Sequence, residues 1–191
     1  PAHNPEFVDA YMMKKLKNAQ GGPVREVFVN SVHSGKCNSS FDFDEVHIDI
    51  LLDFEDIKWA VNNVSGTYSG TWPVEGRNFK NLTFRQLVDG NFNETSIVFR
   101  ASVGGKNILF TGDASYVAGY LLNKFHDIHA SNPDQYYTIK SDYVQVAHHG
   151  YYGLTKATYN RIDPDVGLWP TPKYEYTGSK SDLALPYALE W

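Results

Sequence analysis

The run Ser96-Ile-Val-Phe-Arg-Ala-Ser-Val-Gly-Gly-Lys-Asn-Ile-Leu-Phe-Thr-Gly-Asp-Ala114 decides the fold class of this 191-residue chain. Ser96 to Val103 is dense in β-branched and aromatic residues and reads as a strand. Gly104-Gly105 is a two-residue hairpin turn, and Lys106 to Phe110 is the returning strand. Two glycines suit such a turn because its central residues take positive φ, which side chains resist. The second strand breaks off at Thr111-Gly112-Asp113-Ala114, so a carboxylate stands at the rim of a buried run.

Downstream, Tyr116 to Phe125 has helical spacing, with Val117, Tyr120, Leu121 and Leu122 inward. A loop rich in Asn, Pro and Asp leads to a second apolar run, Tyr143 to Ala147, which ends abruptly in His148-His149-Gly150. A helix from about Leu154 to Arg161 and a last strand, Val166 to Trp169, follow. Upstream, Val46 to Leu52 alternates, placing His47 and Asp49 on one face and Ile48 and Ile50 on the other. Asp53 to Asn91, punctuated by Gly66, Gly70, Pro73, Gly76 and Gly90, reads as loops with short elements. Pro5 to Asn18 reads as an amphipathic helix carrying Phe7, Val8, Tyr11, Met12 and Leu16, with Asn4 as N-cap and Gly21-Gly22-Pro23 as its stop; Val24 to Asn30 reads as a strand. Strands alternating with helices after an antiparallel hairpin give a mixed α/β architecture, read as one domain over 1–191.

Composition narrows the function classes. A net charge of −5 argues against phosphate-backbone binding by the whole surface, which needs clustered Lys and Arg. Cys37 is the single cysteine, so the chain builds neither an internal disulfide nor a thiolate zinc cluster. No run of 18 apolar residues exists, which argues against a helical membrane span, and the start lacks the pattern of a signal peptide; bacterial cytoplasm is the default expectation. The Asn-X-Ser/Thr sites at Asn38, Asn63, Asn81 and Asn93 are what an Asn-rich chain produces by chance.

The chemistry-bearing residues cluster at two strand ends: Asp113 at one, His148 and His149 at the other. Either motif alone is more often structural, a Gly-Asp turn or a hydrogen-bonded His-His loop. Together they offer oxygen and nitrogen donors of the kind a borderline divalent cation takes at about 2.0–2.2 Å. Mn or Fe accepts the same donor types.

Asn93-Glu-Thr-Ser-Ile-Val-Phe-Arg100, Asn107 to Ala114, Lys140 to Gly150 and Asp163-Pro-Asp-Val-Gly-Leu-Trp-Pro170 together resemble, in order and spacing, the second half of the metallo-β-lactamase fold superfamily. The closer likeness is to its branch of hydrolase domains related to the competence protein ComEC. The resemblance implies an αββα sandwich with a metal site at one edge between two β-sheets. It also implies that Asp113 bridges metal ions, that His148 is the late metal ligand, and that His149 is a catalytic, substrate-facing group. Zn²⁺, Mn²⁺ or Fe²⁺ would be the cofactor, and a small-molecule ester or a phosphodiester the substrate.

The family's His-x-His-x-Asp-His signature is absent, and none of His3, His33, His47, His126 or His129 stands in that pattern. Asn91 and Asn93 occupy the neighbourhood of a further family histidine. Two ligands fall short of the three plus water that a catalytic zinc site uses. The expectation is therefore a fold incomplete at its N-terminus, a chain that binds metal weakly or not at all, and self-association through an exposed sheet edge. The competing expectation is a non-catalytic, metal-free binding module on the same fold. A third, an aromatic-rich carbohydrate-binding domain, rests only on the 15% content of Phe, Trp and Tyr.

Overall fold

The computed structural model describes residue 21 and residues 29–36, 38–72, 77–132, 137–150 and 153–170. Among the described residues, eight strands and four α-helices follow one another: β1 Ser40–Phe43, β2 Val46–Leu52, α1 Phe54–Asn63, β3 Tyr68–Trp72, β4 Arg77–Leu82, α2 Phe84–Gly90, β5 Val98–Val103, β6 Lys106–Phe110, α3 Tyr116–Ala130, β7 Tyr143–Gln145, α4 Lys156–Ile162 and β8 Val166–Leu168. Six strands form one sheet in the order β1-β2-β5-β6-β7-β8, and β3 pairs with β4 in a separate hairpin. The β1/β2, β2/β5 and β5/β6 pairs are antiparallel; β6/β7 and β7/β8 are parallel, joined by crossovers through α3 and α4.

The hairpin closes where the sequence places it. Val103 pairs with Lys106, and Gly104 and Gly105 hold φ of 57° and 75°, the doubly left-handed turn that matches strand twist. Cross-strand register then sorts the side chains. Asp49, Arg100, Leu109 and Val144 share one face, the one the helices cover. There Leu51, Leu52, Val98, Leu109 and Val144 pack with Ile57, Phe84, Leu87, Val117, Leu121, Leu122, Phe125 and Ile162 into one core. The register shifts between Ile50 and Leu52, and both Leu51 and Leu52 are buried. The other face carries Phe41, Ile48, Phe99, Ala101, Ile108, Phe110 and Tyr143, all partly exposed, with Phe99 and Phe110 stacked at 4.7 Å.

A charge pair lies inside the helix-covered face. Arg100 donates to Asp49 at 2.9 Å and to the Thr138 carbonyl at 3.1 Å, while Ser40 donates to Asp49 at 2.7 Å. Burial pushes the Asp49 carboxyl up, but Ser40 and Arg100 outweigh it and hold it below the usual range.

Asp53 to Asn91 departs from the loop reading. Asp53 accepts from the Asp56 amide at 3.0 Å and Asp56 answers at the Asp53 amide at 3.1 Å; Thr83 and Gln86 repeat the arrangement at α2. These capping boxes satisfy orphan amides and start helices that the glycine count obscured. Helix α3 runs five residues past Phe125, to Ala130, because His129 remains buried on its inner side. Both edge strands, β1 and β8, are short, at 4 and 3 residues. The expected helix at Pro5–Asn18, the expected strand to Asn30 apart from its last two residues, and the tail beyond Pro170 lie outside the described residues. Among the described residues no helix is long and apolar enough to cross a membrane.

Candidate functional site

Strands β6 and β7 run parallel, so their C-terminal ends, and the loops after them, open at the same edge of the sheet. The two loops are tied together. Thr111 Oγ1 donates to the Gln145 carbonyl at 2.7 Å, the Gly112 amide donates to Gln145 Oε1 at 3.2 Å, and Gln145 Nε2 donates to the Gly112 carbonyl at 3.3 Å. The His148 amide also donates to the Gly112 carbonyl, at 3.0 Å. The loops are therefore one structure.

The backbone after β7 is left-handed. His148 has φ 50° and ψ 44°, His149 has φ 57° and ψ 16°, and Gly150 has φ 85°. Along a strand, successive side chains point to opposite faces. In a helical turn of either hand they are about 100° apart. The left-handed turn thus brings two neighbouring imidazoles to one rim, with ring centroids 6.3 Å apart. Non-glycine residues resist this conformation, so the turn stores strain at the rim. Gly150 is required there: a Cβ would lie 2.4 Å from the Trp169 ring, whose Nε1–H donates to the His149 carbonyl at 2.8 Å.

Asp113 and His149 face each other, with Asp113 Oδ1 3.9 Å from His149 Nε2 and both side chains about half exposed. His149 Nδ1 lies 2.6 Å from the Pro170 carbonyl, which only accepts, so Nδ1 carries the proton. The second ring nitrogen, Nε2, is the one that faces the Asp113 carboxylate. His148 turns differently: its Nε2 meets Asn93 Nδ2 at 3.1 Å. Burial lowers the His148 pKa and outweighs Asp113, which raises it.

The structure brings all the sequence-predicted residues, Asp113, His148 and His149, to one rim. It assigns the closest approach to Asp113 to His149 rather than to His148. Sequence reasoning named Asn91 and Asn93 only as occupying the neighbourhood of a further family histidine; the turn at 91–96 brings Asn93 to His148 and supplies Ser96, whose Oγ accepts from the Asp113 amide at 3.2 Å. A polar cluster immediately before an apolar strand was the available signal. Among the described residues, no three His, Cys, Asp or Glu side chains form a group arranged to hold a metal ion. No protein-family model, curated protein or solved structure matches the chain.

Proposed function

We propose that the rim formed by Asp113, His148 and His149 is part of the site of a metal-dependent hydrolase of metallo-β-lactamase type. The observation that carries this reading is the meeting of a carboxylate and two imidazoles at the ends of two parallel strands, with Asp113 Oδ1 3.9 Å from His149 Nε2. Oxygen and nitrogen donors gathered at one rim are the types a borderline divalent cation takes. The fit is partial, because a catalytic zinc takes three protein ligands and a water. Asp113 and His148 would hold the ion, two donors where three are needed, and His149 would face the substrate. A metal held there would supply Lewis-acid chemistry for hydrolysis of an ester or phosphodiester.

The chain's own residues do the rest. Pro170 fixes the tautomer and orientation of His149, and half exposure of that ring lets it meet a substrate. Asn93 orients His148, and Ser96 holds the backbone of Asp113. A phosphodiester is the preferred substrate class, by analogy with the competence-related branch.

Calorimetry with Zn²⁺ and Mn²⁺ tests the reading. The expected result is weak binding, lost in Asp113→Ala and in His148→Ala. Binding that ignores both substitutions sinks the assignment. One observation favours the second reading, a metal-free interaction module: the Asn93 amide and the Pro170 carbonyl already satisfy one nitrogen of each imidazole. Wild-type protein that binds neither ion would support that reading.

A further inference from the structure

Glu94 is fully buried, yet it lies in the single 3₁₀ turn Phe92–Thr95 rather than in the sheet or an α-helix. Its Oε2 accepts from the Ala118 amide at 3.0 Å, and the amides of Val117 and Tyr116 and the Ser115 hydroxyl also reach it. These are the orphan donors of the first turn of α3, whose N-cap Ser115 makes no side-chain capping bond of its own. A residue from another segment therefore caps this 15-residue helix. Burial pushes the Glu94 carboxyl up to about 7 despite those donors, so the environment disfavours its charge. A leucine would fill that space without the penalty, which makes the choice of a carboxyl informative.

The neighbours of Glu94 explain the choice. Asn93, one residue before it, meets the His148 ring, and Ser96, two residues after it, holds the Asp113 amide. Helix α3 begins three residues after Asp113. The turn is braced internally as well: Asn91 Oδ1 accepts from the Asn93 amide at 3.2 Å, and the Ser96 amide donates to the Asn93 carbonyl at 3.1 Å. One turn thus touches the loop after β6, the loop after β7 and the helix that departs from the rim.

We propose that Glu94 is a positioning residue that clasps the 91–96 turn to the start of α3, so that Asn93 and Ser96 hold His148 and Asp113 at a common rim. The proposal rests on the reading of that rim as a hydrolase site, but the clasp can be measured on metal-free protein. Glu94→Gln keeps an acceptor within reach of Ala118 and preserves the clasp. Glu94→Asp withdraws the carboxylate by one methylene, and Glu94→Ala removes it; both release the turn.

The test is amide hydrogen exchange together with ¹⁵N spectra of the histidine rings. In Glu94→Ala and Glu94→Asp, exchange at Asp113 and Ala118 should quicken about fivefold or more, the scale of one buried hydrogen bond. The His148 ring signals should shift while strands β2 and β5 keep their protection, and Glu94→Gln should restore the wild-type pattern. Unchanged exchange at Asp113 together with unmoved His148 signals overturns the proposal. So does uniform acceleration through β2 and β5, or a failure of all three variants to fold, because either result makes Glu94 a stability residue only. Zn²⁺ titration of the wild type separates the two ideas: a rim that takes no metal removes the hydrolase reading and leaves the exchange result standing.

Discussion

Exchanging His149 for alanine and for glycine isolates the strain at the rim. Both substitutions delete the ring and its bond to the Pro170 carbonyl, so that loss cancels between them. What remains is the backbone, held at φ 57° and ψ 16°. A Cβ in the left-handed region costs about 1–2 kcal/mol, and glycine escapes that cost. Against this, glycine loses more chain entropy on folding, by about 0.4–1 kcal/mol relative to alanine. The balance leaves the glycine variant more stable by roughly 0.5–1 kcal/mol, or about 1–4 °C in melting temperature for a chain of this size. In ordinary helix or strand positions the order is the reverse, with alanine ahead by roughly 0.5–1 kcal/mol. Urea denaturation at neutral pH, followed by circular dichroism, measures the difference. An alanine variant as stable as the glycine variant, or more so, would show that residue 149 does not occupy a left-handed turn, and the argument for two imidazoles on one rim would fail with it.

Further outcomes follow from other parts of the molecule. His33 Nδ1 and His129 Nε2 share a hydrogen bond at 2.9 Å, and burial, the largest cause for each, lowers both pKa values, with His129 and Lys124 lowering His33 further. Above about pH 6.5 the pair is neutral folded or unfolded. As pH falls below that, the unfolded chain takes up protons that the folded pair resists, so stability drops; His129→Phe should flatten that part of the pH–stability curve, and an unaltered slope counts against it. Arg100→Met alone should cost about 3 kcal/mol because the buried Asp49 is left with only Ser40 and the half-exposed His47, whereas pairing it with Asp49→Leu should recover most of the loss; equal instability of the two would refute this. Gly150→Ala should expel the Trp169 ring and cost about 2–3 kcal/mol, visible as a moved indole N–H resonance; a silent spectrum argues against the contact.

How much of this was legible depended on how local the signal was. The β5–β6 hairpin is written in adjacent residues, a β-branched run broken by Gly104-Gly105, and the register confirms it. Asp113, His148 and His149 were legible because each follows an apolar run that must be buried, which forces the polar residue to the strand's end. The helices at Phe54–Asn63 and Phe84–Gly90 were hidden by counting glycines across a long window, although Asp53 with Asp56 and Thr83 with Gln86 marked both starts. Glu94 and Ser96 were not legible as site residues. Their partners, Ala118 and Asp113, are distant in sequence, and a lone Glu before a strand looks like any solvated turn. The pairing of His149 with Asp113 likewise required the left-handed turn, which no spacing rule announces for two non-glycine residues.

The Gly104-Gly105 turn stands at the opposite end of β6 from Asp113, so five strand residues, roughly 17 Å of extended backbone, separate them. Both glycines are solvent-exposed, and a Cβ at either would meet no atom within 4 Å. That tip is therefore the natural handle for the molecule. A short peptide tag spliced between the two glycines would anchor the protein to a sensor surface with its histidine-bearing rim turned toward the bulk, open to ions or phosphodiesters flowed across it.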